Sequence, residues 1–385
     1  MDTQSVDRRK TALVLQGGGA RGAYQVGVLK AIAEISGARQ SPFQIVCGAS
    51  AGAINAAPIA VMAQDFQVAV RHLDRLWRGL RCTSIYETIP LKVLLSGSRL
   101  AGNLLFRIGG VRAGGSLLDY APLRRLLEGE FNRERLDLAI SSGALHAFCV
   151  TASSYGQGLA VTFFDGAEGI PEWQRARRIG RRVQVGPAHL LASSSLSFAF
   201  DPVEIDGEYF GDGSLRSTSP LSPAIRTGAD RVLVIVTRDP WHQVLPEDLP
   251  TSPPTFGEIA GHALDILFND NLEADYERML RINETLAIMP DEARQRSRLR
   301  PISALLLAPS KDLRDIARTH SGDLPRTIRI LMKMVGAWHH DGRLESYLMF
   351  EPAYVGDLID LGYADTIARA EEVRTFLANR EEASG

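Results

Sequence analysis

Cysteine is scarce in this chain, with only Cys47, Cys82 and Cys149 among 385 residues. They lie far apart and form no CxxC pair. That excludes a disulfide framework, offers no zinc-ligand spacing and fits a reducing compartment. Lysine is nearly as rare, confined to Lys10, Lys30, Lys92, Lys311 and Lys333, so arginine carries almost all the positive charge. There is no excess of either sign: the net charge is −2, which removes any whole-protein electrostatic case for nucleic acid. No stretch reaches the roughly 20 apolar residues of a membrane span. The N-terminus, MDTQSVDRRKTALVLQGGG, has a short apolar run that stops at glycines, without the apolar core and cleavage site of a signal peptide. A cytoplasmic protein is expected, with export by a route that uses no N-terminal signal left open.

The chain is 45% hydrophobic and 23% charged, enough for one large domain or two smaller ones. Thr11–Gln16 (TALVLQ) and Phe43–Cys47 (FQIVC) read as buried strands. The stretch after the first places Tyr24, Val28, Ala31, Ile32 and Ile35 at helical spacing. AGAINAAPIAVMAQ after the second reads as a helix, kinked near Pro58. Strand–helix–strand–helix is the parallel crossover pattern, and near-continuous apolar strands fit a sheet covered on both faces. Further strands are expected at Leu145–Thr151, Ala160–Phe164, Arg231–Thr237 and Ser303–Ala308. Helices are expected near 65–80, 121–130, 257–288, 311–334 and 364–379. The Pro-rich stretch 239–256 reads as an irregular connection.

Gly48-Ala49-Ser50-Ala51-Gly52 follows the second strand and opens a helix. G-x-S-x-G in that context is the nucleophile-elbow pattern: the backbone turns sharply, bulky neighbours would clash, and the helix aims its N–H groups at the hydroxyl. GGGARG at 17–22 occupies the same position after the first strand. If the two strands are parallel, both loops leave the carboxyl edge of the sheet, where ligands bind in open α/β folds. The uncovered amides of Gly17, Gly18 and Gly19 then suit a developing oxyanion, and Arg21 would add a fixed charge nearby. Gly17-x-Gly19-x-x-Gly22 also matches a dinucleotide fingerprint, but the second strand brings no acidic residue for a ribose. A Walker A loop fails because no Lys-Ser/Thr follows. FGDGSL at 210–215 sets Asp212 between glycines, after an alternating VEIDGEYF that reads as a hairpin. Taken alone, Asp-Gly is a common turn dipeptide.

GGGARGAYQVGVL at 17–29, GASAGAINA at 48–56 and ASSSLSFAFDPVEIDGEYFGDGSL at 192–215, in this order, resemble the patatin-like phospholipase family. SLLDYAPLRRLL at 116–127 and SYLMFEPAYVGDLIDLGYAD at 346–365 resemble its bacterial members. The resemblance implies an α/β fold: a three-layer α/β/α sandwich with a mostly parallel central sheet. A catalytic domain over 11–228 and a helix-rich C-terminal region over 229–385, packed on it and contributing strands, are expected. It implies acyl-ester hydrolysis by a Ser–Asp dyad, with Ser50 as nucleophile, Asp212 as its base, and an oxyanion hole from Gly17, Gly18, Gly19, Arg21, Gly22 and Ala51. Gly48 and Gly52 flank the elbow. The family usually has Asp-Gly-Gly or Asp-Gly-Ala, where this chain has Asp212-Gly213-Ser214.

The rivals are explicit. A Ser-Asp-His triad of the α/β-hydrolase kind needs a histidine after an Asp or Glu that itself follows Ser50, and among the eight histidines His262, His320, His339 or His340 satisfies that order. An acyltransferase or thioesterase would use the same acyl-serine, and a non-catalytic lipid-binding module would keep the fold alone. No metal and no cofactor is expected. The expected partner is a lipid or acyl-ester substrate, with peripheral membrane contact in reach of the apolar, Lys- and Arg-studded segment 89–108; a buried cap over the site is its plainer reading. The arginine cluster 175–182 is in keeping with a contact to lipid phosphate, and its plainer reading is a solvated loop. Ser193–Ser195 read as turn residues.

Overall fold

A computed structural model describes residues 9–87, 118–197, 199–237, 253, 255–334 and 342–378. Segment 89–108, most of the stretch 239–256, and His242, His339 and His340 lie outside the described residues.

Ten strands form one sheet: β1 (Lys10–Leu15), β2 (Ile45–Ala49), β3 (Ala147–Ser154), β4 (Ala160–Gly166), β5 (Trp173–Arg175), β6 (Arg178–Arg182), β7 (Val203–Ile205), β8 (Glu208–Asp212), β9 (Ala229–Ile235) and β10 (Ser303–Leu307). The order is β10-β9-β1-β2-β3-β4-β6-β5, and the first five of these are mutually parallel. The apolar runs explain why. Side chains alternate between faces, so Leu13 and Leu15 enter one core while Ala12 and Val14 enter another across the sheet. The first face is covered by α1 (Ala23–Ser36), α2 (Ala51–Val61), α3 (Phe66–Gly79) and α4 (Pro187–Ser194). The second is covered by α5 (Asn271–Ile288), whose Leu272 and Met279 pack on Val14, Cys47 and Val234. On the first face α6 (Pro352–Ala368) lies along α1. The result is an α/β/α sandwich whose last two parallel strands, β9 and β10, come from beyond residue 228.

One feature of the topology prepares the site. β2 pairs with β3 as far as Ala49 opposite Thr151. β8 then pairs antiparallel with the next residues of β3, from Ala152 opposite Asp212 to Ser154 opposite Phe210. The two strands therefore occupy one edge of β3 end to end, running toward each other. A hairpin brings β8 there: β7 and β8 pair around Asp206–Gly207, both at positive φ (51° and 78°), the signature of a tight two-residue turn.

Three expected elements differ in extent. The helix read over 311–334 is two, Leu313–Thr319 and Arg326–Met334, separated by a 3-10 turn at Ser321–Asp323, with Pro325 immediately before the second, where its missing N–H costs nothing. The helix read from 364 already starts at Pro352 and restarts at Ala370. The arginine cluster is not a loop but an edge hairpin, β5 with β6; Arg182 donates to the carbonyls of Gly166, Ala167 and Ile170 and stacks on Phe164.

Candidate active site

Ser50 stands where β2 ends and α2 begins, with φ 54° and ψ −132°. A non-glycine residue there is strained, and such strain persists only when the surroundings over-determine it. They do. A Cβ at Gly48 would collide with the carbonyl of Gly52, and one at Gly52 with the carbonyl of Leu15, so the elbow is pressed onto β1. The Ser50 N–H donates to Ser193 Oγ (3.0 Å), and that hydroxyl donates to the Thr151 carbonyl (2.6 Å). Ser193, read from the sequence as a turn residue, thus clamps the elbow to β3 from the C-terminal end of α4. Nothing in ASSSL distinguishes it from Ser194 or Ser195 before the fold is known.

Asp212 ends β8 at the seam. Its N–H donates to the Ser195 carbonyl (2.8 Å), and its Oδ1 accepts from the Ser214 N–H (2.8 Å). The carboxyl is fully buried, and burial raises its pKa from 3.8 to about 6; the hydroxyl of Ser50 and the N–H and hydroxyl of Ser214 offset part of that effect. Oδ2 is buried without a hydrogen bond of ordinary geometry. Ser214, the departure from the family pattern, therefore keeps the turn and its amide serves the carboxylate.

The glycine loop faces both. A Cβ at Gly17 would stand 2.8 Å from both Ser50 Cβ and Ser214 Oγ. Gly19 has φ 55° and lies against the Tyr347 carbonyl, leaving no room for a side chain. Gly19 opens a short 3-10 turn and Ala51 is the first residue of α2; N–H groups in such positions have no partner within their helix. Gly22 accepts from Asn55 Nδ2 (2.9 Å), whose other hydrogen goes to Gln25 Oε1 (2.8 Å). Trp77 Nε1 donates to Asn55 Oδ1 (2.7 Å), Gln25 Nε2 to the Gln16 carbonyl (2.7 Å), and Thr237 Oγ1 to the Gly17 carbonyl (3.0 Å). This buried network ties the glycine loop to the elbow helix. Its sequence trace is Asn55, a lone amide in a helix of alanines.

Arg21 is placed differently from the rest of its motif. It is fully buried, its Nε donates to Ser346 Oγ (2.8 Å), its guanidinium lies 4.0 Å over the Tyr347 ring, and Asp265 is 3.7 Å away. It fastens the loop to the C-terminal region.

Ser50, Asp212, Gly19 and Ala51 line a cleft whose other walls are mostly apolar, among them Ile54, Ile85, Phe200, Phe268, Leu348 and Phe350, with Tyr86, Ser194 and Tyr347. Phe268 sits on a π-helical turn, Ile266–Asp270, between the Phe256–Asp265 helix and α5. Among the described residues no histidine lines the cleft. His72 pairs with Glu130 (2.8 Å), His189 accepts from the Gly186 N–H, and burial lowers the pKa of His146 and His189. His262 is exposed. His320 lies between Asp323 (3.2 Å) and Asp357 (2.7 Å).

The family model for patatin-like phospholipase matches residues 13–225, more than half of the chain. The chain belongs to the patatin-like phospholipase family. Lipid acyl hydrolysis is the activity of the family as a whole. No curated protein sequence matches this patatin-like chain. Similar solved structures include human GIVD cytosolic phospholipase A2, at 12% identity over 98% of this chain and 61% of that one, with a TM-score of 0.44. VipD from Legionella pneumophila is 12% identical over 94% of this chain and 67% of that one (TM-score 0.35). The ExoU–SpcU complex of the Pseudomonas aeruginosa type III secretion system gives 18% identity over 97% of this chain and 78% of that one (TM-score 0.26). The patatin-like chain thus spans 61% of the length of the human phospholipase chain. Among its described residues no helix is long and apolar enough to cross a membrane.

Proposed function

We propose that this chain hydrolyses lipid acyl esters by a Ser50–Asp212 dyad. The observation that supports it most is the meeting, at one seam beside β3, of a strained serine and a buried carboxylate at the floor of an apolar cleft. Asp212 accepts the Ser50 proton as Oγ attacks the ester carbonyl. The tetrahedral oxyanion takes hydrogen bonds from the amides of Gly18, Gly19 and Ala51, each such donor contributing about 3 kcal/mol. The leaving alcohol departs with the proton held by Asp212. Water then gives a proton to Asp212 and attacks the acyl-serine; as the acyl–Oγ bond breaks, Asp212 returns that proton to Ser50 Oγ and the fatty acid leaves. The apolar walls bind the acyl chain, and Arg21 serves by holding the glycine loop in position.

Ser50→Ala tests the reading. Hydrolysis of a soluble p-nitrophenyl ester should fall on the order of a thousandfold or more, and a fluorophosphonate should no longer label the 48–56 peptide. Near-wild-type turnover by the pure variant would rule out this nucleophile.

A further inference from the structure

The helix α5 does not line the cleft. With the short helix Ser222–Arg226 and the stretch 298–302 it encloses an open groove of about 320 Å³. Arg226 lies just before β9 and Ile302 just before β10, so the groove is at the amino ends of these strands. Ser50 and Asp212 are at the carboxyl edge. The groove is therefore separate from the site described above.

Its lining joins two chemistries. Leu221, Ile225, Met279 and Ile302 make an apolar floor, and Arg226, Arg278, Arg298 and Arg300 stand around it. Two of these cations are matched: Arg278 pairs with Asp275 (3.2 Å) and Arg300 with Asp230 (2.6 Å). Arg226 and Arg298 are exposed and make no ion pair or hydrogen bond with the described residues. Desolvation, and after it the positive field of Arg175 and Arg178, lowers the pKa of Arg226, so like charges are crowded there, while the carboxylate in the lining, Asp275, is taken by Arg278. Leu299, between Arg298 and Arg300, is 54% exposed. Unmatched guanidinium groups suit an oxyanion, which they bind in bidentate fashion. An apolar floor beside them suits an alkyl chain.

We propose that this groove binds a single-chain amphipathic anion, with its carboxylate or phosphate monoester head on Arg226 and Arg298 and its chain along Leu221, Ile225, Met279 and Ile302. A fatty acid and a lysolipid phosphate both carry that chemistry. The proposal stands apart from the Ser50 chemistry, and its test reads binding rather than turnover.

The full-length Ser50→Ala protein is titrated calorimetrically with dodecyl phosphate and with laurate, in its own background and with Arg226→Ala and Arg298→Ala added. A diazirine-bearing fatty acid is photo-crosslinked in parallel, and the labelled peptides are mapped. At least one of the two amphiphiles should bind with an affinity that falls on the order of tenfold or more in the triple variant, and the tighter of the two identifies the head group. Crosslinks should include peptides from 271–302, and these should disappear in the triple variant. Both added changes are at exposed side chains, so an unaltered melting curve separates lost binding from lost folding. Equal binding to both proteins overturns the proposal, as does crosslinking confined to the cleft peptides. Displacement of the amphiphile by inorganic phosphate at equal concentration overturns the part played by the chain.

Discussion

Asp212→Asn should make this protein a worse enzyme and a more stable one. The carboxyl is fully buried and its pKa is raised from 3.8 to about 6. The folded state therefore holds that proton more tightly than the unfolded chain. The stability of the protonated form is fully present below about pH 4 and is lost as pH rises through about 6. Above that, the ionised carboxylate costs on the order of 3 kcal/mol. Asparagine is the same size and its Oδ1 can still accept from the Ser214 N–H, but it carries no charge. Denaturant unfolding at about pH 7.5 should show the variant more stable by up to about 3 kcal/mol, and at about pH 4 the gain should vanish. Activity moves the other way. Loss of a general base costs about 10²–10⁴ in rate, or roughly 3–5 kcal/mol of barrier. In the wild type, kcat/KM on a soluble ester should fall about tenfold per pH unit below about pH 6, and the variant should lose that dependence. Activity within tenfold of wild type, or a stability difference that is the same at both pH values, would refute the reasoning.

Asn55→Ala leaves the Trp77 Nε1–H and the Gly22 carbonyl without their partner. It should cost about 2–4 kcal/mol of stability and lower kcat, both read from a urea titration and an ester assay on the same preparation; a midpoint shift near zero would deny the network its role. Phe268 belongs to the wall of the cleft and to that of a second, small chamber of about 40 Å³, lined by Val14, Cys47, Leu267 and Leu272. Phe268→Ala should join them and raise the preference for long over short p-nitrophenyl esters on the order of tenfold; an unchanged chain-length profile would place the acyl chain elsewhere.

The parts of the fold that could be read from the sequence are those in which chemistry and periodicity coincide. The apolar runs of β1, β2, β3 and β9 are unbroken because both faces of each strand are covered, and that leaves a plain trace. β5 and β6 leave none, since an edge hairpin of WQR and RIGRR is polar and half-exposed. Asp206-Gly207 is a local turn and was legible as a hairpin. That β8 should then run along β3 to meet β2 is a long-range fact. Arg21 shows the same divide: its motif is local, but Asp265, Ser346 and Tyr347 come from the far end of the chain, where nothing in the sequence marks them as its partners.

That long-range meeting of β2 and β8 bears on why two residues can suffice where a triad uses three. An exposed aspartate near pKa 3.9 is a poor base at neutral pH, and imidazole, near 6.5, is a good one. The seam leaves Asp212 no solvent and no counter-ion among the described residues; its Oδ1 has the Ser214 N–H, and its Oδ2 has no well-formed partner. Burial alone then carries the carboxyl to about 6, into the range of a histidine. The second function of a triad's carboxylate, to orient the base, falls here to the backbone: β8 is fixed on β3, the Asp212 N–H is held by the Ser195 carbonyl, and Ser193 in the same turn of chain holds Ser50. In the proposed dyad, strand pairing does the work of the missing third residue, so a substitution that loosens the 193–195 segment should impair the reaction without touching either member.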